Sequence, residues 1–170
     1  MKRWLAATIL ALPLLALAGQ FQGVQLSEDG TSLRIATSDG QQFEAPKYSD
    51  QVGFAKPRIS ADGSRVGWLA LYPNCCTSYP IPLALVVLDQ SRRLQSFDGI
   101  GISVFAWCFV PDSSSVAYGQ GVLHGSDARH FEWRNISDGR LLGAYGSARG
   151  DARDIQARKG VPSWVRCVPE

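Results

Sequence analysis

Apolar residues along the chain come in short runs separated by polar, Asp-centred breaks. Ser27-Glu28-Asp29-Gly30 precedes Leu33-Arg34-Ile35-Ala36, Ser60-Ala61-Asp62-Gly63 precedes Val66-Gly67-Trp68-Leu69, and Val110-Pro111-Asp112-Ser113 precedes Val116-Ala117-Tyr118. Each reads as strand, tight turn, strand: an Asp carboxylate accepts local backbone N–H groups, and Gly tolerates positive φ. A second set of hairpins follows the same logic. Ile35-Ala36-Thr37 runs into Ser38-Asp39-Gly40. Leu83 to Leu88 runs into a polar turn and Leu94-Gln95-Ser96-Phe97. His130 to Ile136 runs into Ser137-Asp138-Gly139 and Leu141-Leu142. Leu83 to Leu88 is apolar without alternation, which predicts a strand buried on both faces. Helical spacing is confined to 147–159, where Ala148, Ala152 and Ile155 recur, with Ser147 as a cap and Gly160 as a stop. Trp164 to Cys167 reads as a last strand or a strap. The class expected is all-β with one short helix near the C-terminus.

The chain has 170 residues, 45% hydrophobic and 19% charged, which suits one domain with a real core. Its start reads as a cleavable signal peptide, 1–18. Lys2 and Arg3 form a charged n-region, Trp4 to Leu15 the apolar stretch, and Ala16-Leu17-Ala18 a small-x-small cleavage site. The uncharged run from Trp4 to Gly19 is shorter than a spanning helix, so no membrane anchor is expected after cleavage. The expected organisation is 1–18 signal peptide, 19–146 β domain and 147–170 a cap tied by Cys167, in a periplasmic or secreted protein. Without Lys2 and Arg3 the charge balance is 15 basic against 15 acidic residues, so no nucleic-acid partner is expected.

Four cysteines, Cys75, Cys76, Cys108 and Cys167, allow three pairings. A ring between the neighbours Cys75 and Cys76 is strained, so the expectation is that this pair is linked to Cys108 and Cys167. Zinc sites need wider ligand spacing; no metal and no cofactor are expected.

The unit Ser60-x-Asp62-Gly63-x-x-Val66-x-Trp68, with its copies at Ser27 and Val110, resembles the TolB-type β-propeller repeat, also seen in the propeller domains of dipeptidyl peptidases. The resemblance runs from about Phe21 to Tyr145 and implies blades of four antiparallel strands. Asp29 to Asp62 is 33 residues while Asp62 to Asp112 is 50, so the first unit reads as truncated. Three units are too few for a ring, since propellers typically have about four to eight blades. The expected architecture is an open or partial propeller of three blades, a sandwich of similar hairpins, or part of an oligomeric ring. An open array leaves two sheet faces uncovered, and the tail is expected to cover one of them through Ile155 and Trp164.

The candidate chemistry is sparse. His124, Ser126, Asp127 and His130 fall in one segment and form the candidate constellation of a small exported hydrolase. No nucleophile-elbow pattern surrounds Ser126. The repeated turn aspartates read as turn formers, and Trp68, Trp107 and Trp133 as core. The 73–82 segment, rich in proline and holding two cysteines, reads as a rigid recognition loop with Tyr72, Asn74 and Tyr79 as binding residues. The functional expectation is an exported, non-catalytic binding module whose partner is another envelope or secreted protein. A small hydrolase using the His124–His130 segment is the alternative.

Overall fold

In a computed structural model of the chain, the described residues are 19–75, 78–122, 128–147 and 160–169. They form three antiparallel sheets, none of them closed. The first holds β1 (Phe21–Leu26), β2 (Leu33–Thr37) and β3 (Gln42–Glu44). The second holds β4 (Gly53–Ile59), β5 (Arg65–Tyr72), β6 (Ile81–Asp89) and β7 (Leu94–Asp98) in sequence order. The third holds β8 (Ser103–Phe109), β9 (Ser115–Gly121), β10 (Arg129–Asn135) and β11 (Leu141–Ser147), again in sequence order. The only helix among the described residues is one turn, α1 (Ser163–Arg166). Of the two expectations for Trp164 to Cys167, a last strand or a strap, it excludes the strand. Pro162 stands at its start, and the carbonyl of Pro162 accepts the N–H of Val165. Ser147, the cap expected for a helix over 147–159, is the last residue of β11, and the rest of that segment, 148–159, lies outside the described residues.

The sheets stack face to face as an open array of blades. Leu33 and Ile35 of the first sheet meet Val66, Trp68, Ala84 and Val86 of the second. The opposite face of the second sheet offers Leu69, Leu85 and Val87 to Trp107, Val116 and Tyr118 of the third. β6 lies between the two cores, which is why Ala84 to Leu88 are all buried. Gly67 is needed here because a Cβ would lie 2.7 Å from Trp107 Cη2.

The turn aspartates act as the sequence suggests. Oδ1 of Asp29, Asp39, Asp62, Asp89, Asp112 and Asp138 each accepts a backbone N–H two or four residues on, at 3.0–3.3 Å. The six turns do not share one edge, however. Those at Asp39, Asp62, Asp89, Asp112 and Asp138 lie on one rim, here the turn rim. The turn at Asp29 lies on the opposite, loop rim: the carbonyl of Gly30 accepts the N–H of Phe54, at the start of β4. β1 begins at the turn rim, where the N–H of Phe21 meets the carbonyl of Gly63. β1 therefore runs antiparallel to β4 and stands where the second strand of a blade belongs. The first sheet lacks an innermost strand, and its Asp29 turn is not equivalent to those at Asp62 and Asp112. The equivalent series is Asp39, Asp89 and Asp138, at spacings of 50 and 49 residues.

The two outer faces of the array differ from the expectation of two apolar surfaces. Gly23, Gln25, Arg34, Ala36, Gln42 and Glu44 share the outer face of the first sheet by register, and Arg34 pairs with Glu44 at 3.4 Å. That face is polar. The outer face of the third sheet is apolar, and Val161, Val165 and Val168 cover it together with Trp164. Trp164 stacks on Trp133 at 6.1 Å between ring centroids. Ile155 lies outside the described residues.

Candidate functional site

Cys108 is bonded to Cys167, with Cα atoms 5.9 Å apart, so neither is linked to the Cys75–Cys76 pair as expected. The fold supplies the reason. Cys75 follows β5 on the loop rim, where Leu71 pairs with Gly53. Cys108 lies towards the turn-rim end of β8, sharing a groove with Pro57, Arg58 and Ile59 of β4. The two ends of these strands are a strand length apart, while disulfides need Cα atoms within about 7 Å. Cys76 lies outside the described residues.

The loop rim gathers the apolar surface. Among the described residues, Leu26, Tyr48, Val52, Tyr79, Leu83, Ile100 and Val122 are the large exposed hydrophobics on this rim, with Tyr79 at 49% and Ile100 at 59%. They come from four separate connections, from the end of β1 and from the start of β6. On the same rim is a cavity of about 400 Å³ lined by Tyr72, Leu83, Ala84, Asp98, Gly99, Gly101 and Ile102. The floor is held firmly: the N–H of Gly99 donates to Leu83, and the N–H of Ile100 donates to Oε1 of fully buried Gln120 at 2.7 Å. Asp98 is the acidic residue of the lining. Burial, then the Asp98 charge, raises the phenols of Tyr48 and Tyr72 above the ordinary tyrosine value, so both remain neutral donors. The cavity is thus an apolar cup with one carboxylate and phenolic hydroxyls beside it, a chemistry that suits an apolar side chain next to a donor or cation.

Of the sequence-selected binding residues, Tyr72 lines this cup at the end of β5, paired with Ile81. Tyr79 is half-exposed and Asn74 partly buried in the adjoining loop. Sequence reasoning missed Leu83, Asp98, Ile100 and Val122. The available signal was Gly99-Ile100-Gly101, a large aliphatic residue placed between glycines in a connection where no core requires it.

His124, Ser126 and Asp127 lie outside the described residues. His130 is on β10, and its Nε2 lies 3.2 Å from Glu132 Oε1. Glu132 is only 4% exposed and is the centre of a polar network that sequence reasoning also missed. Its Oε2 accepts Tyr118 Oη and Arg134 Nε, both at 2.6 Å, and Arg134 also donates to the carbonyl of Gly139. Burial opposes the Glu132 charge, yet the bonds from Arg134, Tyr118 and His130 hold its carboxyl below the usual value. Burial and the bond to Glu132 push the Tyr118 phenol well up. These groups satisfy one another within the sheet. The alternation His130-x-Glu132-x-Arg134 places all three on one strand face and was the sequence signal for it. Among the described residues no group of His, Cys, Asp and Glu side chains is arranged to hold a metal ion.

The disulfide is compatible with an exported protein, and among the described residues no helix is long and apolar enough to cross a membrane. No family model and no curated protein matches the chain. Solved structures similar to it in part include the Kuenenia stuttgartiensis hydrazine synthase, at 15% identity and TM-score 0.49 over 74% of this chain and 34% of that one. The Pyrococcus horikoshii acylaminoacyl peptidase matches at 10% identity and TM-score 0.48, over 78% of this chain and 25% of that one. The tricorn protease matches at 12% identity and TM-score 0.43, over 59% and 11%. The chain thus spans about a third or less of the length of these solved chains.

Proposed function

We propose that this chain is an exported, non-catalytic binding module that engages another envelope or secreted protein through its loop rim. The observation that carries the reading is the gathering of Tyr48, Val52, Tyr79, Leu83, Ile100 and Val122 on the rim that holds the cup lined by Tyr72 and Leu83, while the opposite rim is built from aspartate turns. Exposed apolar residues gathered on one rim mark interaction sites, and aromatic anchors beside a pocket are the usual centres of binding energy. The leader-like residues 1–18 and the disulfide support export.

The test is site-specific photo-crosslinking from position 100 in the exported protein. The expected result is one dominant adduct, lost when Tyr79, Leu83 and Ile100 are all replaced by serine, with the unfolding midpoint unchanged. Adducts equally frequent from the outer face of the first sheet, for instance from position 42, would sink the reading. So would turnover of ester, peptide or glycoside substrates that is lost on His130→Ala.

A further inference from the structure

The first sheet lacks the strand that would lie innermost, and the backbone of β1 is left open on that side. The carbonyl of Leu33 and the N–H of Thr37 both bond towards β3. Leu33, Ile35 and Thr37 therefore face β3, and Arg34 and Ala36 face β1. Their partners Gln25 and Gly23 bond to β2, so the N–H and C=O groups of Val24 and Leu26 point the other way. No hydrogen bond engages them among the described residues.

The neighbouring inner strands are protected where β1 is not. β4 has a bulge at Lys56 and Pro57, and proline offers no N–H. The Lys56 carbonyl accepts Trp107 Nε1 at 3.0 Å, and the Phe105 carbonyl at the β8 bulge accepts Lys56 Nζ at 2.7 Å. Next to β1 is an open groove of about 610 Å³, between Gln22, Gly23 and Val24 on one side and β4 with the end of β8 on the other. Its walls are Pro57, Ile59, Phe109, Val110 and Pro111, and its one charged residue is Arg58. Arg58 is exposed, and among the described residues no acidic residue lines the groove and no ion pair engages it.

We infer that this groove takes an extended, apolar peptide strand carrying a carboxylate, which adds to β1 in the antiparallel sense and sets its acidic group against Arg58. The free ladder of Val24 and Leu26 supplies main-chain recognition, and the apolar walls and Arg58 select the side chains. A strand so placed runs parallel to β4 and β8, completing the first sheet as a four-stranded blade. A second copy of this chain is a poor occupant. Its β1 would bring the paired β2 along.

The site is separate from the loop rim, and the experiment keeps the two apart. The probes are two synthetic peptides of alternating valine and threonine, alike except for a central aspartate in one and lysine in the other. Binding is followed by fluorescence anisotropy and by amide hydrogen exchange of the full exported chain. The expected result is protection of the Val24 and Leu26 amides and a preference for the aspartate peptide of about tenfold. Arg58→Glu reverses that preference. Val24→Pro removes an outward N–H without touching the β1–β2 ladder and abolishes binding. The triple serine variant of the loop rim binds as before. Absence of added protection at Val24 and Leu26, or equal binding of both peptides, overturns the inference. Concentration-dependent dimers that protect those amides without peptide also overturn it. If Val24→Pro folds poorly, the charge reversal at Arg58 decides alone.

Discussion

Replacing Cys108 and Cys167 together by alanine is expected to release the C-terminal strap, and the magnitudes explain why. Residues 160–169 lie over the third sheet with Val161, Val165 and Val168 buried. Burying three valines and part of Trp164 contributes about 6 kcal/mol. Ordering a ten-residue segment costs about 10 kcal/mol at the low end of backbone estimates. The disulfide spans a separation of 59 residues, which by loop entropy supplies about 4 kcal/mol. Docking is therefore balanced with the bond in place and unfavourable without it. The double variant should be cut by protease near Arg166, bind a hydrophobic dye at the face of Ala106, Ala117 and Phe131, and unfold at lower urea. Limited proteolysis with mass spectrometry, compared between the oxidised wild type and the variant, is the assay. A variant whose 160–169 segment stays as protected as in the wild type would refute the reasoning, because the burial alone would then suffice.

Three further outcomes follow from the cores and the polar network. Gly67→Ala drives a Cβ to within 2.7 Å of Trp107 and 3.1 Å of the Val86 carbonyl, and calorimetry should find a loss of about 1–3 kcal/mol. Glu132→Gln leaves Arg134 without its charged partner and should cost about 2 kcal/mol near neutral pH, since Arg134 is partly solvated. The Glu132 carboxyl is depressed in the fold, so its contribution is present above about 4.5 and vanishes as pH falls through the lowered value; urea midpoints of wild type and variant should converge in acid. Asp62 is held at about 2 against burial by Ser60, Ser64 and Arg65, so wild type should lose stability between about pH 4 and pH 2 more steeply than Asp62→Asn.

The turns were legible because an Asp–backbone bond is local chemistry, visible in Ser60-Ala61-Asp62-Gly63 without reference to the rest of the chain. The same locality misleads at Asp29. Its carboxylate bonds Ser27 and Thr31 just as Asp62 bonds Ser60 and Ser64, and both sit at about 2. A turn of that kind does not record which rim of the stack it occupies. Only the spacing of Asp39, Asp89 and Asp138 carries the true period. The strand expected to be buried from Leu83 to Leu88 was legible from its lack of alternation over Ala84 to Leu88, while Leu83 is exposed. The cysteine pairing was not, because it depends on which strand ends meet across the stack. Trp164 to Cys167 is too short for a period to distinguish a strand from a helical turn. The loop rim was hidden for a similar reason: Tyr48, Leu83, Ile100 and Val122 come to one rim only after three sheets have stacked.

An open stack of sheets has to solve at its two ends what a closed ring solves by symmetry. At the first end the sequence makes the outer face polar, so that no cover is needed: Arg34 and Glu44 face solvent where Leu33 and Ile35 face the core. At the other end the third sheet keeps apolar residues on both faces, and a covalently held strap covers the outer one. The inner edges are blunted by bulges and proline at β4 and by the paired Lys56 and Trp107 bonds at β8. Exposed edges invite strand addition and are normally blocked. β1 keeps a regular run from Gly23 to Leu26 beside an apolar groove. A molecule that protects its other inner edges and both outer faces, while leaving this one open, is built to receive a strand there.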